Sequence, residues 1–310
     1  MVFHIFELMI YLFYFLIVLS VLISLSFLTL IERKLLGYIQ LRKGPNKVGM
    51  MGILQPFSDA IKLFSKEKIF FNMFNKYLFF ISSMMILVYM LVGWFILLIY
   101  ISNIMFDVSL MFIFVFLGLG VYLIMLMSWS SNSLYSILGM LRGIVQSVSY
   151  EVSLILLLTL LLFIEMNFSL LNLSVFNQSF LGVYNFMSPL SLMFFVSILG
   201  ELNRTPFDFM EGESELVSGF NIEYSSGLFA LIFMAEYGLI IFMSLLWSLF
   251  FIGYYVYILF ISVSLISMII ILIRGILPRF RYDFMMMMFW KSILPMVLFY
   301  YIYIIGLVIF

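Results

Sequence analysis

Three glutamates lie inside otherwise apolar stretches of this sequence: Glu151, Glu201 and Glu236. An ionised carboxylate in the middle of a bilayer costs about 2.5–3.5 kcal/mol on insertion scales, so such a residue normally faces a polar interior. A buried carboxyl group can also take up and release a proton near neutral pH. Three of them predict a proton relay. Each one alone could instead have a structural role, with its charge satisfied by a hydroxyl or an arginine. Glu201, for example, could pair with Arg204 three residues later.

A second concentration of acids follows Glu201. Five carboxylates fall within sixteen residues of each other: Asp208, Glu211, Glu213, Glu215 and Glu223. A run of like charges is usually a solvated loop, and the spacing here is not that of a calcium-binding loop. Acids that repel one another titrate as a coupled group, so their protonation would respond to a nearby charge or ligand. The loop is therefore a candidate proton donor or sensor, and its spacing alone leaves these alternatives open.

The elements that must position these acids are membrane helices. Apolar residues make up 66% of the 310 residues, charged residues make up 10%, and the mean hydropathy is +1.25. A soluble domain carries about 25% charged residues. Apolar runs of the length needed to cross a bilayer, about 20 residues, lie near 5–30, 77–101, 107–128, 145–166, 187–203, 227–249, 252–273 and 291–310. We therefore predict an all-α integral membrane protein with about eight transmembrane helices, forming a single polytopic membrane domain over residues 1–310.

The basic residues are distributed asymmetrically. All fifteen Lys and Arg residues fall in the loop regions after odd-numbered spans, nine of them between Arg33 and Lys76. By the positive-inside rule, the odd loops lie in the matrix or cytoplasm and both termini lie on the opposite side. The first loop also contains an amphipathic stretch over 53–64, whose apolar face is formed by Ile53, Leu54, Phe57, Ala60, Ile61 and Phe64. It predicts a helix lying in the membrane interface, and an ordinary surface helix covering the bundle is equally compatible.

The composition excludes several kinds of redox site. Without cysteine, the chain cannot hold an iron–sulfur cluster by itself. Its one histidine, His4, is close to the start of the sequence, which excludes a histidine-ligated haem or copper inside the bundle. Alanine occurs only at positions 60, 230 and 235, as is typical of an AT-rich genome. The N-terminal residues lack the pattern of an imported precursor or a secretory signal. These features indicate an organelle-encoded protein, and a bacterial origin stays open.

Several segments carry a recognisable pattern: 32–49, 54–67, 139–151, 201–224 and 278–291. They include Arg42-Lys43-Gly44-Pro45-Asn46, Ser149-Tyr150-Glu151, Glu211-Gly212-Glu213-Ser214-Glu215 and Pro278-Arg279-Phe280-Arg281-Tyr282-Asp283. In these segments the chain resembles the chain 1 family of respiratory NADH-ubiquinone oxidoreductase (complex I). It departs from the family's usual residues at Gly143, Gly200 and Leu202, close to the acids, and these departures affect packing rather than proton chemistry.

The resemblance implies a core membrane subunit that forms the ubiquinone-access tunnel and couples quinone reduction to proton translocation. Glu151, Glu201 and Glu236 would belong to an acidic channel, and the acids of 208–223 would line the quinone cavity. The residues implied to line or support the tunnel are Arg33, Arg42, Asp59, Arg204, Phe220, Arg281 and Asp283.

The expected partners are other complex I subunits of the membrane arm and the quinone-reducing peripheral arm, membrane lipids, and ubiquinone as substrate. The chain itself would hold no iron–sulfur cluster, flavin, haem or metal and would bind no nucleic acid. The expected location is the mitochondrial inner membrane, with odd loops in the matrix and both termini in the intermembrane space.

Three other classes of protein compete with this interpretation. A free-standing cation/proton antiporter would also contain intramembrane carboxylates, but it would not need the long basic first loop. Membrane subunits of related hydrogenases share the motifs, and the organelle-like composition argues against them. A purely structural anchor would not account for three membrane-buried acids.

Overall fold

The computed structural model describes residues 2–69, 73–101, 108–165, 168–170, 188–210, 212, 219–253 and 256–309. Within these ranges the regular elements are helices. They are α1 (Val2–Ile39), α2 (Gln55–Ser65), α3 (Lys76–Gly93), α4 (Phe95–Ile101), α5 (Ser109–Ser131), α6 (Leu134–Glu165), α7 (Ser188–Glu201), α8 (Ser226–Phe251), α9 (Val256–Ile276), α10 (Tyr282–Met287) and α11 (Leu294–Ile309). A π-helical segment, Met288–Ile293, joins α10 to α11, and two short 3₁₀ turns cover Met50–Gly52 and Gly219–Asn221.

The helices confirm an all-α membrane protein. Seven of the helical segments are long and apolar enough to cross a bilayer, counting α3 with α4 and α10 with α11 as one segment each. The predicted span near 187–203 corresponds to α7, which has 14 residues and is therefore shorter than the others. Each of the eight predicted spans thus coincides with a helix, and the prediction of the fold class is confirmed.

Three of the predicted spans miss one end of their helix by two turns or more. Helix α1 continues to Ile39, α6 begins at Leu134, and the last helical segment begins at Tyr282. Arg33 and Arg142, which we assigned to loops, therefore lie in helices. A span predicted from hydropathy ends where charged residues begin. The helix itself continues through charged residues when they find partners or reach the membrane surface.

Helix α8 lies at the centre of the bundle. It packs against α1, α2, α3, α7 and α9. Close approach to α3 depends on Gly238, where an added Cβ would lie 2.5 Å from Met90 Sδ. Residue Met90 is fully buried, so the absence of a side chain at position 238 lets the two helices touch.

The predicted amphipathic helix of the first loop is present as α2. It lies on α1 and α8, where the Phe57 ring meets Phe27 edge-on at 6.2 Å and Phe64 lies over Gly227. Much of its apolar face is nevertheless exposed, as for Ile61, which is 70% exposed. A helix of this kind suits a membrane interface, and that location stays a prediction.

Candidate functional site

Glu32, near the end of α1, is the centre of a group of charges. The residue is 3% exposed, and its carboxylate lies 3.3 Å from Nη1 of Arg204, in the turn after α7. Arg274, near the end of α9, forms a second ion pair with the same carboxylate. The hydroxyl of Tyr237 in α8 also donates a hydrogen bond to it. A buried charge is stable only when its partners satisfy it, and Glu32 receives partners from three separate parts of the chain.

Arg204 is held from several sides. Its guanidinium lies over the Tyr237 ring, 4.3 Å from the centroid, which is a cation–π contact. Burial acts to lower the pKa of Arg204, but Glu32, Tyr237 and Glu236 outweigh it and hold that pKa above its ordinary value. Arg204 therefore stays charged. We call Glu32, Arg204, Tyr237, Glu236 and Arg274 the arginine cluster.

The alternative in which Arg204 neutralises Glu201 is wrong. Helix α7 ends at Glu201, so the side chain at i+3 no longer lies on the same helical face, and Arg204 pairs with Glu32 instead. The partner of Glu201 is Tyr150 in α6, whose hydroxyl donates a hydrogen bond to the carboxylate.

A second group of acids lies around Glu201. Glu151, on α6, is close enough to interact electrostatically with Glu201. Its Oε1 also lies against Gly118 of α5, 3.2 Å from where a Cβ would be. Tyr89 in α3 interacts electrostatically with both glutamates. We call Glu151, Glu201, Tyr150 and Tyr89 the glutamate cluster.

The structure thus divides the three predicted relay residues. Glu151 and Glu201 share the glutamate cluster, whereas Glu236 lies beside Arg204 in the arginine cluster. The turn from Glu201 to Arg204 runs from one cluster to the other. A carboxyl and a phenol group joined by a hydrogen bond, as Glu201 and Tyr150 are, can exchange a proton, and the arginines can respond to a new negative charge nearby.

Gly200 explains one departure from the family's usual sequence. A Cβ at this position would lie 3.2 Å from Cδ1 of Tyr150 and 3.3 Å from Cζ of Phe289. Both distances are tighter than ordinary van der Waals contact. Alanine would therefore press on the ring that hydrogen-bonds Glu201, and Gly200 relieves this contact.

The first part of the acidic loop is fixed by pairing. Asp208 Oδ2 lies 2.9 Å from Nη2 of Arg279, and Asp208 is 8% exposed. The buried amide of Gln146 donates to the carbonyls of Gly200 and Phe207, at 3.0 and 2.8 Å, and so fastens this turn to α6. Glu223 is half-buried. Glu211, Glu213 and Glu215 lie outside the described residues.

The remaining predicted tunnel residues belong to neither cluster. Arg33 pairs with Asp59 at 2.5 Å and so links α1 to α2. Arg42 is exposed and donates to Gln40, and Arg281 and Asp283 form a largely exposed pair at 3.6 Å. The 3₁₀ turn Gly219–Asn221 buries the remaining predicted residue, Phe220.

Five residues at these positions were not predicted: Glu32, Tyr150, Tyr237, Arg274 and Arg279. Glu32 is followed by Arg33 and Lys34, so the local sequence looks like a solvated loop. The partners that pair with Glu32 lie 172 and 242 positions away, where no local pattern reveals them. Tyrosines are abundant in the sequence, and nothing local distinguishes those two. Among the described residues, no group of three or more Asp, Glu or His side chains is placed to hold a metal ion.

Comparison with known proteins gives a consistent match. The profile of the NADH dehydrogenase family matches residues 12–305. NADH-ubiquinone oxidoreductase chain 1 of Aedes aegypti is 50% identical over 297 residues, covering 95% of each chain. The same chain of Locusta migratoria is 50% identical, covering 94% of this chain and 93% of the relative. That of Papio hamadryas is 44% identical, covering 91% and 92%.

Proposed function

Because this chain belongs to the NADH dehydrogenase family and is a membrane subunit of NADH-ubiquinone oxidoreductase, we propose that it forms part of the ubiquinone-access tunnel and couples quinone reduction to proton translocation. The observation that carries this proposal is the adjacency of the two clusters. One contains two arginines suited to respond to negative charge, and the other contains two carboxyl groups, those of Glu151 and Glu201, suited to carry protons.

Reduction of a quinone to a quinol takes two electrons and two protons, so negative charge develops on the quinone oxygens until the protons arrive. An arginine near such an oxygen is drawn to it. In the arginine cluster, that attraction competes with Glu32 and Glu236 for Arg204. A carboxylate that loses part of its arginine partner binds a proton more readily.

The glutamate cluster would then receive this change. Glu201 follows Gly200 at the end of α7, and its turn leads directly to Arg204. Movement of Arg204 would alter the electrostatic potential at Glu201 and Glu151, and these carboxyl groups would exchange protons toward the proton-pumping subunits. Glu236 would act beside Arg204 rather than between the other two acids.

Electrons would reach the quinone from a partner. The chain has no cysteine with which to hold an iron–sulfur cluster, so we assign the donor to the quinone-reducing peripheral arm. The exposed basic loop that contains Arg42, Lys43 and Lys47 is a candidate surface for that arm. The location that follows is the mitochondrial inner membrane, with the basic loops in the matrix and both termini in the intermembrane space.

Two observations argue against the alternative, a free-standing antiporter. The similar proteins in insects and a primate are all named as chain 1 of NADH-ubiquinone oxidoreductase. In addition, buried ion pairs hold Glu32 and Asp208, so these acids are structural partners of arginines and not vacant cation ligands.

Replacement of Glu201 by Gln tests the proposal. The variant keeps a hydrogen-bonding side chain of the same size but cannot ionise, so we expect NADH-driven quinone reduction and proton pumping to fall at least tenfold. Both are measured in sealed membrane vesicles, pumping by quenching of a pH-sensitive dye. The matched control is Glu67→Gln, because Glu67 is exposed.

Two further measurements interpret the outcome. NADH oxidation by a water-soluble acceptor should be unchanged in Glu201→Gln, which shows that the enzyme is assembled. The Tyr150→Phe variant removes only the hydroxyl that Glu201 accepts and should slow pumping less than Glu201→Gln does. If Glu201→Gln reduced quinone and pumped protons at the normal rate, the relay through the glutamate cluster would be wrong.

A further inference from the structure

A deep apolar groove runs along the outside of the bundle between α1 and α9. Its volume is about 950 Å³, and α8 and α4 form its floor. Along α1 the groove extends from Phe13 to Ile31, and along α9 from Phe260 to Met268. None of its lining residues belongs to either cluster of charges, although its basic end reaches Arg274 of the arginine cluster. We propose that it holds an acyl chain of an anionic membrane phospholipid, whose phosphate lies at the basic end of the groove.

The length of the groove matches the apolar part of a bilayer. Phe13 and Ile31 are 18 residues apart on one helix, which corresponds to a rise of about 27 Å. The hydrocarbon core of a bilayer is about 30 Å thick. An occupant of the groove therefore lies in hydrocarbon over almost its whole length, and it must be apolar there.

The polar atoms in the groove are already satisfied. Four serines line it, and each hydroxyl donates to a backbone carbonyl of its own helix: Ser20, Ser24, Ser264 and Ser267. The walls are otherwise large apolar side chains, of which Phe13 and Phe260 are 54% and 50% exposed. Helix–helix contacts in membranes favour small residues that let backbones approach. Walls of bulky side chains, with hydroxyls bonded to their own helices, suit a flexible hydrocarbon chain better than they suit another transmembrane helix.

The charges at one end of the groove indicate which class of lipid occupies it. Lys34 lies two helical turns beyond the lining residue Phe27, and Arg274 lies two turns beyond Ser267. Both cations therefore continue the line of the groove on its two sides. Arg274 is 39% exposed even though it pairs with Glu32. Basic residues between transmembrane helices, at the end of an apolar groove, bind the phosphate of an anionic lipid.

Photolabelling of the intact enzyme tests the proposal. The purified complex, depleted of lipid in mild detergent, is exposed to phosphatidylglycerol or phosphatidylcholine that carries a diazirine on one acyl chain. Peptides with adducts are then identified by mass spectrometry. We expect adducts on the groove faces of α1 and α9, about fivefold more with phosphatidylglycerol for each cation that contacts the phosphate.

Matched variants distinguish the binding site of the acyl chain from that of the phosphate. Ser264→Phe fills the groove and should remove the adducts, whereas Leu265→Phe, on the neighbouring face of α9, should not. Lys34→Gln should lower the preference for phosphatidylglycerol about fivefold. Lys47→Gln, in the exposed first loop, should leave that preference unchanged.

Three results would overturn the proposal. One is equal labelling by the two lipids, since the phosphate would then not contact the cations. Another is loss of the adducts when a polyprenyl quinone competes, because the groove would then hold a quinone tail. The third is labelling of another subunit's helix in place of α1 and α9, which would show that a protein covers the groove. None of these readouts depends on the quinone reduction or proton transfer proposed above.

Discussion

Replacement of Glu32 by Gln should destabilise the assembled enzyme through Arg204. The two charged groups are 3.3 Å apart, and Arg204 is 12% exposed. At an effective dielectric constant of 20, such a pair attracts by about 5 kcal/mol. Loss of one partner from a buried pair typically costs about 3–5 kcal/mol, because the other charge stays buried. Arg204 keeps its contacts with Tyr237 and Glu236, so we expect the lower value, about 3 kcal/mol.

The assay is loss of the chain from the complex on heating. Membranes are held at a fixed high temperature and solubilised gently at intervals, and the complex is separated on a native gel. The chain that remains in the NADH-oxidising band is then measured by mass spectrometry. A cost of about 3 kcal/mol corresponds to a rate of loss up to about 100-fold faster, if the pair breaks before the rate-limiting step.

Two comparisons make the prediction refutable. Glu67→Gln neutralises an exposed acid and should decay like the unmodified protein. The double replacement Glu32→Gln with Arg204→Gln removes the unpaired charge and should decay more slowly than Glu32→Gln alone. If the single variant decayed at the normal rate, or the double variant decayed no more slowly than the single one, the unpaired arginine would not be the source of instability.

The same heating assay checks three further predictions. Gly93→Ala should cost about 1–3 kcal/mol, because its Cβ would lie 2.5 Å from Cζ of the buried Phe116. The control Gly306→Ala, whose Cβ would have no atom within 4 Å, should be neutral or stabilising, and equal decay of the two variants would refute the prediction. Tyr224→Phe removes a hydroxyl bonded to two serines and to a carbonyl and should cost about 1–2 kcal/mol. Burial raises the pKa of Tyr224 above 10 against the opposing effect of those serines, so the hydroxyl stays protonated and the cost should be the same at pH 6 and pH 9; a cost that vanished at either pH would contradict it. Asp208→Asn breaks a charged hydrogen bond of 2.9 Å and should cost about 1.5–3 kcal/mol; normal decay would show that this ion pair contributes nothing.

The positions of the helices were predictable because apolar run length depends only on local sequence. The ends were not, and α1 shows why. The sequence Glu32-Arg33-Lys34 looks like the start of a loop, yet the helix continues to Ile39. Glu32 is buried by an arginine 172 positions away and another 242 positions away, and no local pattern reports such a pairing.

The candidate site was predictable in its residue types more than in its grouping. Acids in apolar spans stood out by their cost in hydrocarbon, and two of them, Glu151 and Glu201, do lie together. The expectation that Arg204 could neutralise Glu201 assumed a continuous helix, and α7 ends at Glu201. The hydrogen bond from Tyr150 to Glu201 depends on how α6 packs against α7, which spacing along the chain does not encode.

The long separation between Glu32 and its partners also has a consequence for synthesis. A ribosome makes the chain from the N-terminus, so α1 enters the membrane well before residues 204 and 274 exist. During that interval the carboxylate near the end of α1 has neither arginine to neutralise it. The Glu32 carboxylate must stay in the hydrated headgroup region, or stay protonated, until α7 and then α9 are inserted. Insertion of α7 and then of α9 therefore completes the pairing of Glu32, and a chain that stopped before α9 would leave Glu32 without Arg274.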